Sequence, residues 1–238
     1  MTIPHPVIPE LLAPAGFDWI TIDMEHSSIE INDLVPLLIS IERQGMSSLI
    51  RVGENDPNLI KRVMDAGADG VIVANVKSAA EARQAVASVK YPPIGERGVG
   101  LYRAQRYGAG FEDYLKWCKE ESVVIVQIEH VDAEKEIDDI FTTEGVDGFM
   151  VGPYDLSGSM GSPGNFEDEH FKTVLNSILE AGHRHNLPSG MHSVSSCPED
   201  ARSRKVQGFR FLAFSLDSIF LMDAARNAMS KLTSDSQN

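Results

Sequence analysis

Two carboxylates draw attention first. Glu129 closes the apolar run VVIVQIE (Val123–Glu129), and Asp155 lies in GPYDLS just after GFMV (Gly148–Val151). If successive apolar runs are neighbouring strands, these acids stand side by side with hard oxygens facing one opening. Two carboxylates, completed by water and substrate oxygens, suit a divalent ion such as Mg²⁺ or Mn²⁺. The same spacing fits local duties too: Asp155 capping the turn before Leu156–Gly161, Glu129 capping or pairing near its own run. Sequence alone leaves both readings open. Other reactive types fall at comparable places. Asp23 ends WITID with Glu25 and His26 directly after, Arg51 falls near the end of SLIRV, and Gln127 precedes Glu129. Any one of these is an ordinary strand end, but together they define one polar rim. None of the apolar runs contains a lysine, whereas imine chemistry requires one in a desolvated interior. Lys61, Lys77 and Lys90 fall in expected helices or loops. No phosphate loop, dinucleotide fingerprint or nucleophile elbow is present.

The elements that must position this rim follow a regular alternation. Apolar runs are Trp19–Asp23, Ser48–Val52, Gly70–Ala74, Val123–Glu129, Gly148–Val151, Pro188–His192 and Phe209–Ser215. Several are apolar on both faces, as parallel strands covered by helices are. Helices are expected between them over Ile31–Gln44, Asn58–Ala66, Ser78–Val89, Asp132–Phe141, Asp168–His185 and Pro198–Lys205. Repeated β-then-α units in 238 residues predict a (β/α)8 barrel, with a doubly wound open sheet as competitor. A barrel needs eight strands and seven are clear. Thr2–Ile3 reads as the stub of a short or truncated first strand, followed by a helix around Val7–Ala13. We expect one domain over residues 1–232 and a polar, frayed tail over Thr233–Asn238.

Composition narrows the function classes. The net charge of −14 opposes binding to a nucleic-acid backbone. No run approaches the length of a membrane span, and MTIPHPVIPE lacks the pattern of a signal peptide. Cys118 and Cys197 form neither a disulfide framework nor a zinc pattern, which fits free thiols in a reducing cytoplasm. Phe17 and Trp19 read as core, and Arg97, in an ERG turn, as a brace for a loop or a subunit contact.

Several motifs in series resemble a known family. They are GFDWITIDMEH (Gly16–His26), RVGENDPNLIKRVMDAGADGVIV (Arg51–Val73), YPPIGERGVG (Tyr91–Gly100), VQIEH (Val126–His130) and VDGFMVGPYDLSGSMG (Val146–Gly161). From Pro4 to about Leu232 the chain is similar to the HpcH/HpaI aldolases, the class II pyruvate aldolases. The resemblance implies a phosphoenolpyruvate/pyruvate-type TIM barrel. It also implies cleavage of a 4-hydroxy-2-oxo or 2-oxo-3-deoxy acid to pyruvate and an aldehyde, with a divalent ion (Mg²⁺, Mn²⁺ or Co²⁺) as cofactor. By the same resemblance Glu129 and Asp155 hold the metal and Arg51 binds the keto oxygen. His26 is the acid/base group, and Asp23 and Asp65 orient it. Gln127, Gly152, Pro153, Tyr154 and His192 complete the pocket, and the assembly is a homo-oligomer, a hexamer or trimer of dimers. Two features depart from the family pattern. The leading helix and first strand are absent or cut to Met1–Ile3, and Tyr154 and His192 stand where smaller residues are common, which bears on the aldehyde accepted. A related Mg-dependent lyase on the same barrel and a non-catalytic binding homologue are the alternative readings.

Overall fold

The computed structural model describes residues 1–234. Seven strands alternate with helices along the chain: β1 (Trp19–Asp23), β2 (Ser47–Val52), β3 (Gly70–Val73), β4 (Val123–Ile128), β5 (Gly148–Val151), β6 (Ser189–Ser193) and β7 (Phe211–Phe214). All neighbours pair in parallel, in sequence order from β1 to β7, so the sheet curls into a nearly closed barrel of the (β/α)8 type. The α-helices are α1 (Val7–Leu12), α2 (Ile31–Arg43), α3 (Pro57–Ala66), α4 (Ala79–Val89), α5 (Phe111–Glu120), α6 (Ile137–Phe141), α7 (Pro153–Ser159), α8 (Glu169–Arg184), α9 (Pro198–Val206) and α10 (Asp217–Ser234). None of the described helices is long and apolar enough to cross a membrane.

Strand parity explains how one short run feeds two cores. Successive side chains on a strand point to opposite faces. Outward residues such as Ile20, Ile22, Ile50, Val52, Val71, Val73, Val124 and Val126 join the large cluster beneath the helices. Inward residues Trp19, Leu49, Ile72, Ile125, Met150 and Phe211 fill the barrel. Farther along the inward faces of β1, β2, β4 and β6 come Asp23, Arg51, Gln127 and His192, toward the carboxyl ends. Helix starts are fixed locally. The Asp56 carboxylate accepts the Leu59 N–H at 2.6 Å, Ser78 accepts from Glu81, and Asp168 accepts from His170 and Phe171. Each cap satisfies a donor that the first turn leaves open.

Several expectations need correction. Helix formation over 132–141 is split, with a 3₁₀ turn over Val131–Glu136 before α6. Helices α5, α7 and α10 had no counterpart in the sequence reading. In α7, Pro153 occupies the first turn, where its missing N–H costs nothing. Helix α10 runs through Thr233 to Ser234, so these two residues are helical; the rest of the expected tail, 235–238, lies outside the described residues.

The first-strand stub also sits elsewhere than expected. It is Met1 that bridges to β1, donating its amino group to the Thr21 carbonyl at 2.6 Å and accepting the Asp23 N–H at 3.0 Å. Thr2 and Ile3 turn away, and their N–H groups bind the Asp217 carboxylate at 2.8 and 2.9 Å. Strands β7 and β1 do not pair, which leaves a seam beside Met1.

Glycine is required where β3 meets β4. A Cβ on Gly70 would lie 2.3 Å from the Val123 carbonyl oxygen and 2.8 Å from Val123 Cβ. Overpacking of this kind costs about 1–3 kcal/mol. Gly70→Ala is therefore expected to lower the urea midpoint with an unchanged slope; an unaltered midpoint contradicts the packing at this point.

Candidate active site

The rim begins with a register. Asp23 on β1 is the partner of Arg51 on β2, and both side chains point inward. Arg51 Nε and Nη2 donate to the two Asp23 carboxylate oxygens at 2.9 and 2.5 Å, a bidentate pair that fixes the guanidinium plane. Asp23 Oδ1 also accepts the backbone N–H of Glu25 at 3.0 Å and of His26 at 3.2 Å. Burial alone raises the Asp23 pKa, but Arg51 and these N–H groups outweigh it and hold the carboxyl below its usual value. Asp23 thus positions the backbone of His26, not its imidazole.

Glu25, quoted in the sequence reading but given no role, proves central. Its Oε2 lies 3.5 Å from Arg51 Nε and 3.7 Å from His26 Nε2, buried and without a hydrogen bond. Burial raises its pKa; Arg51 opposes this, and the Asp23 and Asp155 charges add to it. A usable signal was present. Glu25 stands directly after the strand-end Asp23, in the bend where Asp23 Oδ1 accepts its N–H. His26 is half-exposed at the rim, with 61% of its side chain accessible, which leaves its ring reachable by substrate.

Glu129 sits just beyond β4, braced from two sides. Its Oε1 accepts the Asn75 N–H at 2.6 Å and its Oε2 accepts from Gln127 Nε2 at 2.5 Å. Asn75 adopts a left-handed φ of 55° that aims this N–H, a role that went unforeseen. Burial raises the Glu129 pKa, Gln127 counters it, and the Glu25 and Asp155 charges raise it further. Asp155 lies in the first turn of α7, whose N-cap is Gly152. The capping role is therefore taken by a residue without a side chain. Gly152 is itself required, because a Cβ there would fall 2.5 Å from Glu129 Oε2.

Among the described residues, no three His, Cys, Asp or Glu side chains form a metal cage. The site instead gathers Glu25, Glu129 and Asp155 within electrostatic reach of one another, with one carboxylate oxygen, Glu25 Oε2, buried and without a hydrogen bond. That donor set fits a divalent ion held by few protein ligands, with water or substrate supplying the rest.

A cavity of about 470 Å³ opens beside these acids, and of the three it is Asp155 that lines it. Asp23, His26, Arg51, Gln127, Gly152, Pro153, Tyr154, Asp155 and His192 all line it. His192 Nε2 lies 3.2 Å from the Ser215 carbonyl oxygen, and burial pushes its pKa below the usual imidazole value, against that hydrogen bond. Tyr154 stands 56% exposed at the mouth, edge-on to Phe166 at 5.0 Å between ring centroids. Asp65 is the exception. It lies at the end of α3, at the opposite end of the barrel, and accepts from Arg97 Nη2 at 2.7 Å. Arg97 is buried between Tyr91 and Tyr114 as a brace, so within one chain Asp65 does not reach His26.

Comparison with known proteins follows the same lines. The family model described as HpcH/HpaI aldolase/citrate lyase matches residues 4–224. The 2-dehydro-3,6-dideoxy-6-sulfogluconate aldolase of Pseudomonas putida is 36% identical over 221 residues, 92% of this chain and 86% of that protein. The 5-keto-4-deoxy-D-glucarate aldolase of Shigella dysenteriae serotype 1 is 34% identical over 229 residues, 96% and 87% of the two chains. A crystal structure of an HpcH/HpaI aldolase/citrate lyase family protein from Burkholderia cenocepacia J2315 superposes with a TM-score of 0.91 at 31% identity, covering 98% of this chain and 92% of that one. The seven-stranded barrel and the matched sequence together make this chain a carbon–carbon lyase, and it belongs to the HpcH/HpaI aldolase/citrate lyase family.

Proposed function

We propose that the chain is a metal-dependent class II aldolase that reversibly cleaves a 4-hydroxy-2-oxo or 2-oxo-3-deoxy acid to pyruvate and an aldehyde. The observation that supports it most is Arg51. Its guanidinium is locked by Asp23 through two donors and keeps further N–H groups for the cavity that it lines. Breaking the C3–C4 bond moves charge onto the C2 oxygen, and a preorganised cation next to that oxygen lowers the barrier.

Glu129 and Asp155 are the residues that hold the divalent ion in this reading, with Glu25 beside them. When bound, the ion supplies a Lewis acid for the carboxylate and keto oxygens of the 2-oxo acid. The remaining work falls to the chain. Gln127 and Asn75 keep the Glu129 oxygens in place, and Gly152 leaves room for them. His26, at the accessible rim, takes the proton from the C4 hydroxyl as the aldehyde departs, and a proton returns to C3 of the three-carbon fragment. Glu25 Oε2, 3.7 Å from His26 Nε2, steadies the imidazolium that forms. In the reverse direction C3 of pyruvate loses a proton and bonds the aldehyde carbon, and the aldehyde oxygen gains a proton, so no other reactant is needed.

A homo-oligomer belongs to the same reading, supported by α10, which exposes Leu221 and Met229 along a helix with only Asp217 buried.

Two outcomes test the function. Pyruvate release from a 4-hydroxy-2-oxo acid, followed by coupled reduction, is expected with Mg²⁺ or Mn²⁺ and lost in EDTA. Because the Glu129 proton must leave for the ion to bind, metal affinity measured by calorimetry is expected to weaken, as pH falls, earlier than for an ordinary glutamate; Glu129→Gln removes both binding and turnover. Separately, Arg51→Ala is expected to lower kcat by roughly 10²–10³, as loss of an oxyanion donor does. Unchanged pyruvate release by this variant excludes the assigned role.

A further inference from the structure

The proposed reaction moves two protons, and only one of them has a protein group. His26 takes the proton of the C4 hydroxyl, whereas the proton at C3 of the three-carbon fragment needs a base of its own. Such a base must be unprotonated near neutral pH, keep a free lone pair and be reachable from the cavity. Asp23 gives both carboxylate oxygens to Arg51, and Asp155 belongs to the ion in that reading. His192 is the imidazole on the inner wall.

Strand register brings His192 beside the ion site. Gln127 on β4 pairs with Met150 on β5, and Met150 with Gly190 on β6. Gly190 faces inward, because a Cβ there would collide with the Phe211 ring that fills the barrel. Two residues farther along these chains come Glu129, Gly152 and His192. The Gly152 N–H donates to the Ile128 carbonyl at 3.1 Å, so the ladder continues past the end of β5. Gly152 carries no side chain, and none therefore stands at that position between Glu129 and His192. Burial lowers the His192 pKa, and the Arg51 and Asp23 charges also reach its ring, in opposite senses.

A strained turn decides which ring nitrogen is free. Ser215, just after β7, adopts a left-handed φ of 59°. Its N–H donates to the Ser193 carbonyl at 2.7 Å and its hydroxyl to the Val194 carbonyl at 3.1 Å. Its own carbonyl oxygen lies 3.2 Å from His192 Nε2. A carbonyl only accepts, so the neutral ring carries its proton on Nε2 and leaves a lone pair on Nδ1. Among the described residues no group bonds to Nδ1, and this atom is not sealed from the cavity that the ring lines.

We propose that His192 Nδ1 is the base that exchanges the proton at C3 of pyruvate. The assignment rests on the pyruvate-aldolase reading and adds a second acid/base residue to it. In the addition direction Nδ1 takes the C3 proton, the C–H electron pair forms the C2–C3 double bond, and the carbonyl pair moves onto the C2 oxygen beside Arg51. In cleavage, protonated His192 gives a proton to C3 while His26 holds the one from the hydroxyl. Solvent returns a proton from His26 to His192 between turnovers, so no further reactant enters.

The test separates the base from the reading beneath it. The protein with Mn²⁺ is incubated with pyruvate in D₂O, and exchange of the C3 protons is followed by NMR, a step that needs no aldehyde. His192→Ala and His192→Asn are each expected to slow exchange by roughly 10²–10⁴-fold. Their Mn²⁺ affinity, measured by calorimetry, is expected to stay unchanged. Imidazole added to His192→Ala is expected to restore exchange, and pyrazole, a ring of the same size without the basicity, is not. An unchanged exchange rate in either variant overturns the base assignment and leaves the pyruvate reading standing. So does failure of imidazole to restore exchange, or equal restoration by pyrazole. Loss of Mn²⁺ affinity in both variants also overturns it, by assigning His192 to the framework. Absence of exchange in the unaltered protein overturns the pyruvate reading itself.

Discussion

The site depends on one ion pair set by strand register. Because β1 and β2 run parallel with Asp23 opposite Arg51, two inward side chains at the barrel mouth meet in bidentate geometry. A buried arginine without a partner is expensive, and so is a buried aspartate. Together they are tolerable, and each then does something further. Asp23 turns the chain after β1 by accepting the N–H groups of Glu25 and His26. Arg51 is held in one plane, so its remaining N–H donors keep a fixed direction at the cavity it lines. A lysine in place of Arg51 could neither bridge both Asp23 oxygens nor keep a fixed direction.

Around that pair the barrel accumulates negative charge that one arginine does not balance. Glu25 and Glu129 are both raised by burial, and each feels the other carboxylates. Such crowding opposes folding in the absence of a cation, and it persists because the backbone enforces it. Asn75 presents its N–H from a left-handed turn, and Gly152 passes so close to Glu129 that no side chain fits between them. Strain and like-charge proximity concentrated at one rim are the expected mark of a site organised for an external ion.

Much of this was legible in the sequence, and the remainder was hidden for identifiable reasons. The seven runs emerged because a parallel strand covered on both faces is apolar throughout, which composition over five residues reveals. The rim residues emerged because strand ends could be located. Three helices did not emerge. Helix α7 begins with Pro153 and contains Gly158, residues that also punctuate loops, and α10 carries its apolar residues on an exposed surface without a core-facing stripe. The duties of Asn75 and Gly152 arise from backbone angles and interatomic approach, which no residue spacing encodes. Asp65 shows the opposite limit. A motif linked it to His26, whereas the fold sends the end of α3 to the far end of the barrel, where Arg97 claims the carboxylate.

The polar rim and the seam between β7 and β1 are built by different physics. The polar rim is overdetermined: Asp23 pairs with Arg51 and Gln127 with Glu129, and both carboxylates also accept turn backbone N–H groups, so altering one leaves a buried charge or donor without its partner. The Phe17, Phe214 and Phe220 rings are held by edge contacts and partial burial near the seam where β7 and β1 do not pair, and Met1, Thr2 and Ile3 link β1 to Asp217 there. Replacing a ring there changes shape and hydration without orphaning a buried polar atom. Strand register therefore anchors the polar rim, whereas ring edges line the seam between β7 and β1.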